Sequence, residues 1–177
     1  LGVHLAVAGI GSLFQTKVGD NLDRMVATLE LALSRSDAVI CCGGLGPTQD
    51  DLTRDAIAKV MGVHLAPDED MEERIIAMFA GRTRRMPMNN LRQAQKPVGA
   101  EFIAQMPGTA PGLVCPLEWT APDGSTVDKV IYAVPGVPWE MKEMVLGTVL
   151  PDLQRRAGIT SVIGSRTLRT WGESESG

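Results

Sequence analysis

The order of apolar runs predicts an α/β domain: three αβα layers around a mainly parallel, mixed central sheet. Three observations carry this reading. The run AVICC at residues 38–42 is short and continuously apolar, as in a strand buried on both faces, and a glycine-rich loop leads from it into a helical pattern. Amphipathic helical patterns stand on both sides of that run. Strand-like runs then gather in the C-terminal half, where Pro122-Asp123-Gly124 supplies a hairpin turn for one antiparallel addition.

Element by element, residues 1–8 resemble the tail of a helix, with Gly9 near its end, and residues 12–18 read as a strand of poor alternation. Asp20 is a candidate N-cap for a helix carrying Leu22, Met25, Val26, Leu29 and Leu33 on one face. Residues 38–42 follow as a central parallel strand. Leu52, Ala56, Ile57, Val60 and Met61 give the next apolar face, which Gly62 stops. Pro67-Asp68 opens a helix with Met71, Ile75, Met78 and Phe79 on its stripe. A basic turn at residues 82–85 leads to a short polar helix at 88–95, closed by Pro97. Strands are expected near Phe102, at 113–119 and at 130–134. After the loop Pro135-Gly136-Val137-Pro138, a helix carries Met141, Met144, Val145 and Val149 until Pro151 kinks or ends it.

The bulk properties exclude several classes. At 177 residues the chain is long enough for a full core, and 44% apolar with 21% charged residues is an ordinary globular balance. Aromatic residues are only 4%, so the core must be aliphatic. A net charge of -4 argues against a non-specific nucleic-acid surface. No apolar run reaches the ~20 residues that span a bilayer, and no signal-peptide pattern opens the chain, so no membrane partner is expected. Three cysteines, two of them adjacent, fit neither a disulfide framework nor zinc spacing, which points to a reducing cytoplasm.

The loop after the buried strand, CCGGLGPTQDDLT from Cys41 to Thr53, carries the functional signal. In open α/β sheets, ligands bind beyond the carboxyl ends of strands. Glycines there allow unusual dihedrals and close approach of a ligand, and a helix start offers free N–H groups to an anion. The loop is not the dinucleotide fingerprint, because Gln49 stands where the third glycine would fall. It is not a Walker A loop either, because the chain has no Gly-Lys pair. Thr48 and Asp51 have the spacing of a capping box. One helix start needs one cap, so the second acid, Asp50, is in excess. Two ionised carboxylates repel phosphate directly but suit a divalent cation, which then bridges to phosphate oxygens.

These residues resemble the CinA (competence/damage-inducible protein) N-terminal domain, of the MoaB/MogA-type molybdopterin-binding fold. Gly43-Gly44-Leu45-Gly46-Pro47-Thr48-x-Asp50-Asp51-x-Thr53 carries the likeness. Val18-Gly19-Asp20-Asn21, Asn90-x-x-Gln93-Ala94, Gly108-Thr109-Ala110-Pro111-Gly112 and Pro135-Gly136-Val137-Pro138-x-Glu140-Met141 match in order. The likeness covers residues 5–153. The family's opening strand, its Gly-Thr-Glu-type loop and its Asn-Thr-Asn segment have no counterpart, so the chain is expected to start inside the first family helix. Residues 1–157 form the expected domain, and 158–177 an extension or the start of a linker like that of longer members.

The resemblance implies a metal-dependent pyrophosphohydrolase that splits ADP-ribose or a similar nucleotide diphosphate. Asp50 and Asp51 would act at the catalytic centre and, with Glu140, hold Mg²⁺, Mn²⁺ or Co²⁺. Gly43, Gly44, Gly46, Pro47, Thr48 and Thr53 would form the phosphate cradle. Asp20 and Asn21 either line the same pocket or simply cap a helix. Asn90 and Gln93 lie one turn apart, facing one ligand or solvent. Gly108, Gly112, Gly136 and Pro138 shape strand-end loops, and Glu140 is either a first-turn acid or a pocket carboxylate. The other readings are a molybdopterin-binding or adenylyltransferase-like module, with a pterin as small-molecule partner, or a non-catalytic binding domain. Self-association into a homo-oligomer fits the fold type. His4, His64, Cys41 and Cys42 match no metal or triad spacing, and Arg82, Arg84 and Arg85 read as a solvated turn.

Overall fold

The computed structural model describes residues 1–80, 86–121 and 123–159. Its four-stranded sheet runs in the order β1 (Ala38–Cys42), β6 (Thr126–Val134), β5 (Leu113–Thr120), β4 (Glu101–Phe102). β1 and β6 are parallel, from Ala38 opposite Val130 to Cys42 opposite Val134, and the β6–β5 and β5–β4 pairs are antiparallel. The mixed α/β sheet expected from the sequence is present. β1, however, takes an edge of it rather than the centre, because an apolar run reports that both faces are covered, not that both edges are paired.

β6 shows why this is a three-layer domain. Val130, Tyr132 and Val134 point into one cluster with Leu5, Met144, Val145, Val149 and Leu153, whereas Ile131 and Ala133 point into the other with Leu29, Leu33, Ala56 and Ile57. The period of two along an extended strand makes this division automatic. The first cluster is roofed by α1 (Gly2–Val7), α5 (Pro138–Met144) and α6 (Leu150–Arg156), and the second by α2 (Leu22–Arg35) and α3 (Thr53–Met61). Burying a side chain such as Ile131 contributes roughly 1.5–3 kcal/mol. A two-stranded antiparallel pair, β2 (Leu65–Pro67) with β3 (Gln95–Pro97), carries α4 (Glu69–Phe79) and the 3-10 turn Met88–Ala94.

Several local expectations need correction. Residues 12–18 form no strand; all are exposed, and Leu13 and Phe14 lie 80% and 52% open because no neighbouring strand pairs with them. Phe14 instead stacks beneath Arg35, 3.9 Å from guanidinium carbon to ring centroid. The cap of α2 is Asn21, not Asp20: its side chain accepts the Arg24 amide at 3.0 Å. The polar helix expected at 88–95 is a 3-10 turn that ends in β3. Pro151 does not end its helix. It follows a π-helical turn, Val145–Val149, whose wider spacing absorbs the missing N–H, and α6 continues beyond it. Asp68 caps α4 as its sequence suggests. The basic turn at 82–85, Pro122 of the hairpin and residues 160–177 of the expected extension lie outside the described residues.

Candidate functional site

The loop that leaves β1 is built around its carbonyl groups. Gly43 extends the parallel ladder by donating its N–H to Val134 O at 2.9 Å. From there four consecutive carbonyls turn toward the first turn of α3. Gly43 O accepts the Thr53 hydroxyl at 2.8 Å, and Gly44 O accepts the Thr53 amide at 3.2 Å. Leu45 O and Gly46 O accept the two terminal nitrogens of Arg54 at 2.7 and 2.6 Å. In a trans peptide the C=O of one residue and the N–H of the next point in opposite directions. The amides of Gly44 and Leu45 therefore face away from α3, while the Gly46 amide is taken up by the Asp51 carboxylate. Among the described residues the N–H groups of Gly44 and Leu45 donate to nothing. Outward amides of this kind offer donors that an anion can use.

Glycine is required here for two separate reasons. Gly43 and Gly44 adopt φ of +96° and +68°, which side chains resist. A Cβ on Gly44 would also strike the Thr53 hydroxyl. Gly46 has ordinary torsions but lies against the Asp51 carboxylate.

Asp51 closes the loop rather than capping α3. Its Oδ2 accepts the Thr48 amide at 2.9 Å and the Thr48 hydroxyl at 2.5 Å, and its own amide donates to Thr48 O. The helix starts only at Thr53, with Leu52 at its N-cap and no side-chain cap bond. Burial alone would raise the Asp51 pKa. The Thr48 hydroxyl and amide, the Gly46 amide and the charge of Arg54 outweigh it and hold the carboxyl below the usual carboxylate range. Asp50 is exposed on the rim with Thr48 and Gln49, and forms no hydrogen bond or ion pair among the described residues.

One other motif meets this loop at the carboxyl ends of β1 and β6, and a second packs on the helix that follows it. Gly136 packs on Gly43, its Cβ position 3.6 Å from the Gly43 Cα, and the Cys42 thiol reaches Pro135 O at 3.4 Å. Glu140, in the first turn of α5 behind Pro138, sets its carboxylate against Gly108, where a Cβ would stand 2.7 Å from Oε2. Gly112 is a packing position: it is buried, with room for no Cβ beside Ala133 O and the Met144 sulfur. Thr53 is likewise buried and serves the loop from within.

Asn90 and Gln93 are both buried, and their amides join each other, Gln93 Nε2 donating to Asn90 Oδ1 at 3.1 Å. Asn90 also donates to Pro87 O. The residue of that turn that reaches the glycine loop is Arg92, which donates to Thr48 O at 2.5 Å and pairs with Asp55 at 2.8 Å. The side-chain bond of Asn21 stays within the start of α2, and Asp20 is exposed. Thus the structure brings Gly136 against the loop of Gly43, Thr48 and Asp51, and Glu140 against Gly108. It gives Asp20, Asn21, Asn90 and Gln93 no bond to the glycine loop.

Sequence reading missed Arg54 and Arg92. Arg54 had a legible signal: it lies on the stripe of Ile57, Ala58 and Met61, where an unpaired charge is costly, so a partner had to exist. It is 1% exposed. Burial pulls its pKa down to about 10, with Arg92 adding to the effect and Asp55 and Asp51 opposing it, so it remains charged at neutral pH. Arg92 offered no comparable signal.

As a metal site, the arrangement is partial. Among the described residues no group of three or more His, Cys, Asp or Glu side chains could hold an ion, so Asp50, Asp51 and Glu140 do not form one cage. An exposed, unengaged Asp50 carboxylate beside Asp51 does suit a cation of the Mg²⁺ kind, which keeps waters and takes phosphate oxygens as its remaining ligands. Cys41 and Cys115 are pushed up to about 12 by burial, so neither thiol is a nucleophile near neutral pH. Two shallow cavities lie away from the loop. One, of about 280 Å³, is lined by residues including Thr148, Asp152 and Arg156; the other, of about 360 Å³, by residues including His4, Leu146 and Pro151. No helix among the described residues is long and apolar enough to cross a membrane.

Residues 3–155 match the family model described as a probable molybdopterin binding domain. A CinA-like protein of Frankia casuarinae is 44% identical over 99% of this chain, and one of Synechococcus elongatus 42% identical over the same share. The chain spans about 40% of the length of these curated relatives. Among solved structures, the CinA protein of Thermoplasma acidophilum, titled as of unknown function, aligns over 89% of this chain and 83% of its own. Its TM-score is 0.63 and its identity 33%.

Proposed function

We propose that this chain, which belongs to the molybdopterin-binding domain family as a CinA-like member, hydrolyses the pyrophosphate bond of ADP-ribose or a similar nucleotide diphosphate with the help of a divalent cation. The observation that supports it most is the row of carbonyls from Gly43 to Gly46 held by Thr53 and Arg54, with the outward amides of Gly44 and Leu45 and an exposed Asp50 in the same loop. In this reading the amides of Gly44 and Leu45 bind phosphate oxygens and fix their orientation. Asp50 and Asp51 hold Mg²⁺, Mn²⁺ or Co²⁺, which supplies charge neutralisation and an acidified water when bound. The oxygen of a water bonds to one phosphorus, the bridging P–O bond breaks, and AMP and ribose 5-phosphate leave. Pro135-Gly136-Val137-Pro138 forms a wall against the cradle, and Glu140 steadies it through the Gly108 loop.

A second reading, a pterin-phosphate binding module without hydrolysis, draws its support from the family description. It uses the same amides for the pterin phosphate and gives Asp50 no catalytic role. The protein is incubated with ADP-ribose and each of Mg²⁺, Mn²⁺ and Co²⁺, and AMP is followed by chromatography. Metal-dependent AMP release supports hydrolysis. Binding of ADP-ribose with no AMP under any metal leaves only the binding module.

A further inference from the structure

We propose that Arg54 is the positioning residue of the glycine loop: its buried guanidinium fork holds the Leu45 and Gly46 carbonyls inward, off the side on which the Gly44 and Leu45 amides, set by Thr53, form an anion cradle. This rests on the reading of the loop as a phosphate site, which it deepens. The geometry is specific to arginine. Two terminal nitrogens in one plane meet two successive carbonyls at 2.7 and 2.6 Å, a bidentate match that an ammonium cannot make.

Structural support alone needs no cation at this place. A charge at 1% exposure is costly, and Nε remains without a partner. A methionine or leucine on the stripe of Ile57 would pack there without that cost. What an apolar residue cannot do is overrule the torsional freedom of Gly43-Gly44 and Gly46, which flank Leu45. Without the fork, the Leu45–Gly46 and Gly46–Pro47 peptide planes can turn over and present a carbonyl to the ligand. Arg92 makes a single such contact two residues further on, at Thr48 O, and Asp55 holds Arg92 in place. The two guanidiniums also put positive charge behind the loop, which favours an anion in front of it.

The test compares Arg54→Lys with Ile75→Val, a control in α4 that loosens packing in a core cluster containing no residue of the loop. Each full chain is titrated with inorganic pyrophosphate by calorimetry. The backbone amide resonances of Gly44, Leu45 and Gly46 are recorded before ligand is added. The expected result is at least a tenfold loss of pyrophosphate affinity in Arg54→Lys, little change in Ile75→Val at comparable melting temperature, and shifted, broadened amide signals confined to the lysine variant. Arg54→Lys with wild-type affinity and wild-type amide signals overturns the proposal, as does an equal loss in both variants. If the unaltered chain fails to bind pyrophosphate, the phosphate reading falls. The ligand-free amide signals then still decide whether Arg54 orients the loop. Should Arg54→Lys not fold, Arg92→Lys is read the same way at the Gln49 amide.

Discussion

The carboxylate of Asp51 rests directly against Gly46: a Cβ on Gly46 would stand 2.5 Å from Oδ2, the oxygen that binds Thr48. Because Gly46 is free of positive φ, an alanine there is strained by this collision and not by its torsions. Gly46→Ala is expected to cost about 1–2 kcal/mol by forcing Asp51 off Thr48. Adding Asp51→Ala removes the obstacle, so the double variant should be clearly less destabilised than the sum of the singles in urea unfolding. Strict additivity would mean that the two side chains do not meet. By contrast, Gly43→Ala has open space around its Cβ and should lose about 1 kcal/mol through its φ of +96° alone.

Asp68 couples the α4 cap to pH. Lys96, 2.8 Å away, and the Met71 amide hold its carboxyl below the usual value of 3.8. Folding therefore favours the ionised form. Its contribution is fully present above pH 3.8 and is lost as pH falls through the lower folded-state value. Asp68→Ala should cost about 1 kcal/mol at neutral pH and show a shallower loss of melting temperature between about pH 5 and pH 2 than the parent. Parallel acid limbs in the two proteins would remove Asp68 from the account.

The layers were legible because period and burial agree. Leu29 and Leu33 fall on one helical face, and Ala38–Cys42 is apolar throughout, so helix and strand announced themselves. The turn from Gly43 to Asp51 was legible because its glycines sit where a strand ends. What composition could not carry was pairing. Nothing in Ala38–Cys42 says that its other edge stays unpaired in the described sheet, and Leu13 and Phe14 look like strand residues until no partner is found. Carbonyl capture by Arg54 and Arg92 was hidden for a related reason: side chains that serve a distant backbone leave no local pattern.

Tyr132 offers a test of the layer opposite the loop. It is buried, and its hydroxyl donates to Asp152 at 2.7 Å, while Asp152 also receives Arg156 at 2.7 Å and Arg155. Tyr132→Phe removes one bond to a charged acceptor that keeps its other partners, so a loss of about 1–2 kcal/mol is expected in denaturant unfolding. Binding of ADP-ribose should not change, since this network faces away from Gly43 and Thr48. A Phe variant as stable as the parent would show that the two arginines alone satisfy Asp152.

The last prediction separates cation binding from loop closure at the adjacent acids. Asn at position 51 keeps an oxygen that can accept the Thr48 amide and hydroxyl, so Asp51→Asn should alter stability by no more than about 1 kcal/mol. Asp50 is exposed and unengaged, so Asp50→Asn should stay within about 0.5 kcal/mol of the parent. Each change removes one negative charge from the place assigned to the metal. AMP release from ADP-ribose should therefore fall at least tenfold in both variants, and the Mn²⁺ concentration for half-maximal rate should rise, because a cation held by one or two carboxylates loses much of its attraction with either. Two outcomes cut the reading apart. Full turnover in Asp50→Asn would leave Asp51 as the only candidate ligand from the chain. A rate in Asp51→Asn that drops only in step with its stability, at unchanged Mn²⁺ dependence, would return Asp51 to the single task its geometry already shows, closing the loop on Thr48.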